Sequence, residues 1–235
     1  MFPIFRDSIM VKTLISTLFF FFLIVTQANA SVVLGGTRVI YDANSKEASI
    51  TVRNNDKTPY LIQSWIDHFD SNNQTKLPFV ITPPLFRIEP ESSNSLRIVY
   101  TGKDLPDDKE SVFWLNVKSI PPTDPNAKNN LTISINNRIK LIYRPKSLSS
   151  ADAGAAYKKV TFERKGNLLV GKNPTPYYIS FSELKVGNKS IDEPVMLPPM
   201  GEHSWNISGI QVNKVMWKAV TDVGGITDSQ EQELK

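Results

Sequence analysis

The chain contains no cysteine in 235 residues. That excludes a thiol nucleophile, a cysteine-based zinc site and a dithiol redox role. It also means that an exported version of this chain stands on its hydrophobic cores without disulfides. Histidine is scarce too. His68 and His203 are the only two, and neither has a His, Cys or carboxylate at metal-ligand spacing. There is no G-x-S-x-G, H-E-x-x-H or phosphate loop. No catalytic constellation, metal site or cofactor site is expected, so the chain reads as a non-enzyme. A formal charge of +4 is spread along the chain without the clustered basic face that phosphate binding requires, which argues against nucleic acid as a partner. No stretch of ten or more residues carries a clean 3.6-residue period.

One long apolar run is present, and it lies near the N-terminus. Lys12 precedes the run from Leu14 to Val25, and Ala28-Asn29-Ala30 follows as a small-x-small cleavage site. Charge, short apolar run and A-x-A together predict a secretory signal peptide over residues 1–30. The run is shorter than the ~20 residues a membrane-spanning helix needs. The n-region is long, and Met10 is a second candidate start. Export follows, with the mature chain beginning at Ser31.

Beyond Ser31, short runs rich in β-branched and aromatic residues alternate with turn-formers. Strands are predicted at 32–34, 38–41, 49–53, 60–66, 79–81, 96–100 and 112–117, with a further stretch at 131–143. That number of strands suits an immunoglobulin-like sandwich of ~100 residues. KSLSSADAGAA (146–156) is small and polar and reads as a linker. A second strand series follows at 160–163, 167–171, 177–183, 191, 195–197, 203–207 and 215–220, and a polar tail from Thr227 reads as frayed. The expected organisation is all-β: two immunoglobulin-like β-sandwich domains, at 31–147 and 148–235, with a cleft between them.

NLTISINNRIKLIYRP (130–145) stands out. Leu131, Ile133 and Ile135 alternate with polar residues, which puts the three aliphatics on one face of an extended strand. Taken alone, this is an ordinary sandwich strand. Two cations could meet across the cleft: Arg38, in the first long strand, and Lys140, just before the linker. Converging, they would form a carboxylate clamp through charge-assisted hydrogen bonds; otherwise they are two independent surface cations. Ile135 and Lys140 have opposite parity, so placing them on one face requires a bulge near Asn136-Asn137.

GTRVIY (36–41), TPPLFRIEP (82–90), KESVFWLNVKSIPP (109–122), IKLIYRP (139–145), NPTPYY (173–178), VMLPP (195–199) and DVGG (222–225) resemble, in order, the periplasmic chaperones of the chaperone–usher pathway, the P-pilus and type 1 fimbrial family. The resemblance spans almost the whole mature chain. It implies that the two sandwiches are set at an angle, and that Arg38 and Lys140 anchor the terminal carboxylate of a pilus subunit. It implies that Leu131, Ile133 and Ile135 are donor-strand residues, and that Glu110, Arg144 and Asp222 form an inter-domain ion network. The implied partners are fimbrial subunits and an outer-membrane usher; whether the free chaperone self-associates to hide its donor aliphatics is left open by the sequence. The short segment TDPNAKNN (123–130) resembles the short-loop subclass, which usually serves rigid, rod-like pili. The rival reading is a secreted adhesion module or fimbrial structural protein. A subunit of that pathway would have one incomplete domain and usually a cysteine pair.

Overall fold

The computed structural model describes residues 31–73, 75–102, 104–123, 131–192, 195–211 and 213–234. The predicted signal peptide at 1–30 and most of the segment carrying the short-loop reading, 124–130, lie outside the described residues.

The first half forms nine strands: β1 (Val32–Leu34), β2 (Arg38–Asp42), β3 (Ala48–Asn54), β4 (Tyr60–His68), β5 (Phe79–Thr82), β6 (Leu85–Ile88), β7 (Ser93–Tyr100), β8 (Ser111–Ile120) and β9 (Ile135–Arg144). They build two sheets, ordered β1-β3-β7-β5 and β2-β9-β8-β4-β6. Period-2 alternation is visible in the burial of β3 and β4: Ile50, Val52, Ile62 and Ile66 point inward while their neighbours face water. The two inner faces meet over Val52, Ile62, Leu96, Ile98, Leu115 and Leu141. An aromatic group of Tyr41, Phe79, Phe113 and Tyr143 closes one end. The strand at Leu85–Ile88, inside the TPPLFRIEP motif, was not expected; it covers the edge of β4 by antiparallel pairing.

The second half forms β10 (Thr161–Lys165), β11 (Leu168–Lys172), β12 (Phe181–Val186), β13 (Lys189–Ser190), β14 (Glu202–Asn206), β15 (Lys214–Ala219) and β16 (Gln230–Glu233). The sheets are β10-β11-β14 and β13-β12-β15-β16, closed over Phe162, Leu169, Leu184, Leu197, Trp205 and Trp217.

Two expectations need correcting here. The linker at 146–156 is in part a helix, α1 (Ser150–Ala156). Ser149 caps it by accepting the Asp152 N–H at 3.1 Å, and the Asp152 carboxylate accepts from the Ser149 hydroxyl at 2.7 Å. This is the S-x-x-D capping pattern followed by an alanine-rich turn. The tail is not frayed either. β16 pairs with β15, the Gln232 amide bonds both the N–H and the C=O of Phe162, and Leu234 is buried. Polar composition misled because an edge strand needs an apolar residue only where it touches the core.

β9 positions the rest. Leu141 and Tyr143 point into the first core, whereas Lys140, Ile142 and Arg144 point the opposite way. On β2, Val39 and Tyr41 face the core and Ile40 faces outward with Ile142. That outer face meets the second sandwich: Val112, Ile142 and Ile40 pack against Met196 and Tyr178.

Candidate functional site

β2 and β9 run parallel, with Arg38 opposite Lys140 in register. Neighbouring strands lie ~4.8 Å apart, so two cations stand side by side on the outer face. Each reaches the second sandwich. Arg38 Nη1 donates to the Val220 carbonyl at 3.3 Å, and Lys140 Nζ donates to the Ser180 hydroxyl at 3.0 Å. Arg38 Nε is buried with no hydrogen-bond partner among the described residues. Burial lowers the Arg38 pKa, against the raising effect of Asp222. Lys140 is brought from 10.5 to about 8 by burial and by the neighbouring Arg38 charge. A like-charged, half-buried pair of this kind is costly alone and suited to an anion. A carboxylate would offset both the burial and the repulsion.

The neighbouring cation has the opposite environment. Arg144 is 2% exposed and Glu110 3%. Arg144 Nε donates to Glu110 Oε1 at 2.8 Å. Its Nη1 and Nη2 donate to the two Asp222 oxygens at 2.7 and 3.0 Å, and Nη1 also reaches the Ser150 hydroxyl at 3.0 Å. Glu110 Oε2 accepts the Tyr178 N–H at 2.8 Å. Burial alone would lower the Arg144 pKa, but the hydrogen bonds to Asp222 and the charges of Glu110 and Asp222 outweigh it and the net shift is upward. Burial raises Glu110 against the pull of Arg144. The structure thus brings Glu110, Arg144 and Asp222 together across the junction. Ser150 on α1, Ser180 and the Tyr178 N–H complete these contacts, and sequence reasoning missed all three. Ser180 directly follows NPTPYYI, so its place beside a quoted motif was the available signal.

The three aliphatics lie elsewhere. Leu131, Ile133 and Ile135 are 83, 67 and 58% exposed. Only Ile135 belongs to β9; Leu131 and Ile133 are not in a ladder. The reason is register. Ser119 pairs with Ile135, and β8 ends at Ile120, so the residues before Ile135 run past the end of their neighbour. The expected bulge is absent as well. β8 and β9 pair without a shift from Ser111↔Tyr143 to Ser119↔Ile135. Ile135 and Lys140 therefore lie on opposite faces of an unbroken strand. Ile135 shares the parity of Ile139, Leu141 and Tyr143, while Lys140 faces the junction. β2 covers β9 only from Lys140 to Arg144, so the outer edge of β9 from Ile135 to Ile139 has no strand partner among the described residues. His68 bonds the Thr75 carbonyl and His203 packs on Trp205; the two sit in different sandwiches.

Residues 31–149 match the model of the pili and flagellar-assembly chaperone PapD N-terminal domain, and residues 155–231 match that of the pili assembly chaperone PapD C-terminal domain. The chain belongs to this family. Its members are chaperones rather than enzymes. The chaperone protein FocC of Escherichia coli is 41% identical over 222 residues, covering 92% of this chain and 96% of the relative. Among solved structures, a chain of the Salmonella enterica SafA pilin–SafB chaperone complex is 35% identical with a TM-score of 0.77, covering 89% of this chain and 99% of that one. The periplasmic chaperone SfaE is 39% identical with a TM-score of 0.72, covering 87% and 100%.

Two outcomes follow from the family member's charged groups. Arg144→Ala leaves the Glu110 carboxylate buried without its cation and should cost about 3–5 kcal/mol. Asp222→Ala, at a more exposed position with Glu110 still in place, should cost about 1.5–3 kcal/mol. Urea unfolding measures both, and equal costs would contradict the burial argument. Lys140 should titrate near 8 in NMR of carbon-13-labelled lysine side chains. Its folded pKa lies below its unfolded one, so between about 8 and 10.5 the unfolded chain holds more protons at this site. Its contribution to stability therefore rises with pH across that window. In the Lys140→Met variant the rise should vanish.

Proposed function

We propose that this family member is a periplasmic chaperone that holds fimbrial subunits until an outer-membrane usher takes them. Residues 1–30 act as its export signal. The observation that carries the reading is the free edge of β9 ending at the Arg38–Lys140 pair. A subunit strand added to that edge occupies the line that β2 takes up from Arg38 onward. Its terminal carboxylate then meets the cation pair, and its direction is that of β2, parallel to β9.

The energetics suit a reversible cap. An incomplete subunit sandwich exposes a groove and unpaired backbone, an aggregation hazard. The β9 edge satisfies the backbone. Leu131, Ile133 and Ile135 enter the groove, worth roughly 5–9 kcal/mol at 1.5–3 each. Because Ile135 and Lys140 lie on opposite faces of β9, groove and anchor do not compete for space. The carboxylate fixes register, since a slip of one residue would turn the aliphatics away from the groove. Glu110, Arg144 and Asp222 hold the two sandwiches so that Ser180 and Val220 back the anchor. The same exposed aliphatics favour self-association of the free chaperone. The short 123–130 segment supports the rod-like class of fibre.

A pull-down of the tagged mature protein with its neighbouring operon genes tests this. The wild type should elute with a stoichiometric subunit of one sandwich domain. Lys140→Glu and Ile133→Asp should each elute without it while retaining the wild-type circular dichroism spectrum. Wild-type yield of the subunit with Lys140→Glu would remove the anchor from the account, and with Ile133→Asp it would remove the donor residue.

A further inference from the structure

The outer face of the five-stranded sheet is covered by the second sandwich only near Val112, Ile40 and Ile142. Farther along β8 and β9 the same face carries an aromatic and cationic surface. Trp114 pairs with Lys140 in the antiparallel register, and directly opposed residues share a face. Arg138, two residues from Lys140, shares it as well and lies over the Trp114 ring at 4.6 Å. The Phe69 ring stacks on Trp114 at 4.9 Å with 22° between planes, and Phe69 is 38% exposed. A polar chain fixes the adjoining patch: Asp67 Oδ2 accepts from Trp65 Nε1 at 3.1 Å and from Asn116 Nδ2 at 2.9 Å, and Asn136 Nδ2 donates to Asn116 Oδ1 at 3.1 Å.

Asp67 is thereby engaged. No carboxylate lies within ion-pair distance of Arg138 among the described residues. The result is a pre-ordered platform, Phe69–Trp114–Arg138, with an apolar ring pair beside a guanidinium that makes no ion pair among the described residues, continuous in register with the anchor. Tryptophan and arginine held rigid in this way suit an interface that carries much of its energy in a few residues. Solvation alone does not require two stacked rings at the surface of an otherwise polar face.

We propose that this platform is a second docking surface for the same subunit whose carboxylate sits at Arg38 and Lys140. It would take a part of the subunit body that presents an apolar side chain to the rings and a carboxylate to Arg138. The inference rests on the anchor reading above. It assigns subunit selectivity to the platform, because a terminal carboxylate is common to all subunits and an apolar–acidic surface patch is not.

The test compares two probes, both taken from the subunit that co-purifies with the wild type: the intact subunit, and a synthetic peptide of its last fifteen residues. Trp114→Ala and Arg138→Ala should weaken binding of the intact subunit roughly tenfold or more and leave peptide binding unchanged. Trp114→Phe, which keeps a stacking ring, should restore most of the loss. Wild-type affinity of both alanine variants for the intact subunit would overturn the proposal. So would an equal loss for subunit and peptide, since the platform would then act through the anchor or the fold. Retained binding of both probes by Lys140→Glu, or no co-purifying subunit, would instead bring down the anchor reading and this inference with it.

Discussion

β9 is paired unequally on its two sides, and most of the molecule's chemistry follows from that. β8 runs beside it for nine residue pairs without a shift, while β2 covers only Lys140 to Arg144. The covered half is buried and belongs to the first core and the junction. The uncovered half keeps an open edge and leads back to aliphatics that no core accepts. Backbone groups at such an edge are satisfied by water or by another chain. Because β9 is unbroken, its odd residues from Ile139 to Tyr143 face the first core. Its even residues face the junction, the Glu110–Arg144–Asp222 network and Trp114.

Two cations on the same strand show how environment divides the labour. Arg144 and Lys140 are four residues apart and point the same way. Arg144 has two carboxylates and is buried with its charge neutralised. Lys140 has a hydroxyl and a neighbouring arginine, and its charge is held at a cost. Asp222 bonds Arg144, and its charge also favours the charged form of Arg38. The junction is thus stabilised by a closed ion network, whereas the Arg38–Lys140 pair beside it keeps an unmet demand for negative charge. The placement of two carboxylates makes the difference between the two.

Much of this was legible in the sequence where burial and periodicity coincide. β3 and β4 announce themselves by alternation, and the core fills as that pattern requires; β8 is rich in β-branched and aromatic residues and is buried on both faces. The cations and carboxylates of the junction were named from motifs, and the structure places Glu110, Arg144 and Asp222 within bonding distance. What escaped reading depends on neighbours rather than on local pattern. β16 looks like a polar tail because its pairing with β15 and the reach of Gln232 to Phe162 are tertiary. α1 was hidden by its small polar residues, although Ser149 and Asp152 spell a cap. The parity conflict between Ile135 and Lys140 suggested a bulge because one face was assumed to do both jobs. The strand is regular, and Ile135 and Lys140 fall on opposite faces. Leu131 and Ile133 lie beyond the ladder for want of a partner strand, which no feature of their own sequence encodes.

The central claim is that the open edge of β9 receives the subunit strand. Backbone hydrogen–deuterium exchange of the chaperone, alone and with its co-purified subunit, addresses it directly. The account predicts strong new protection at residues 131–139, ending at Lys140, where β2 already occupies the edge. Exchange at 131–139 as fast in the complex as in the free protein, with protection appearing elsewhere, would contradict it.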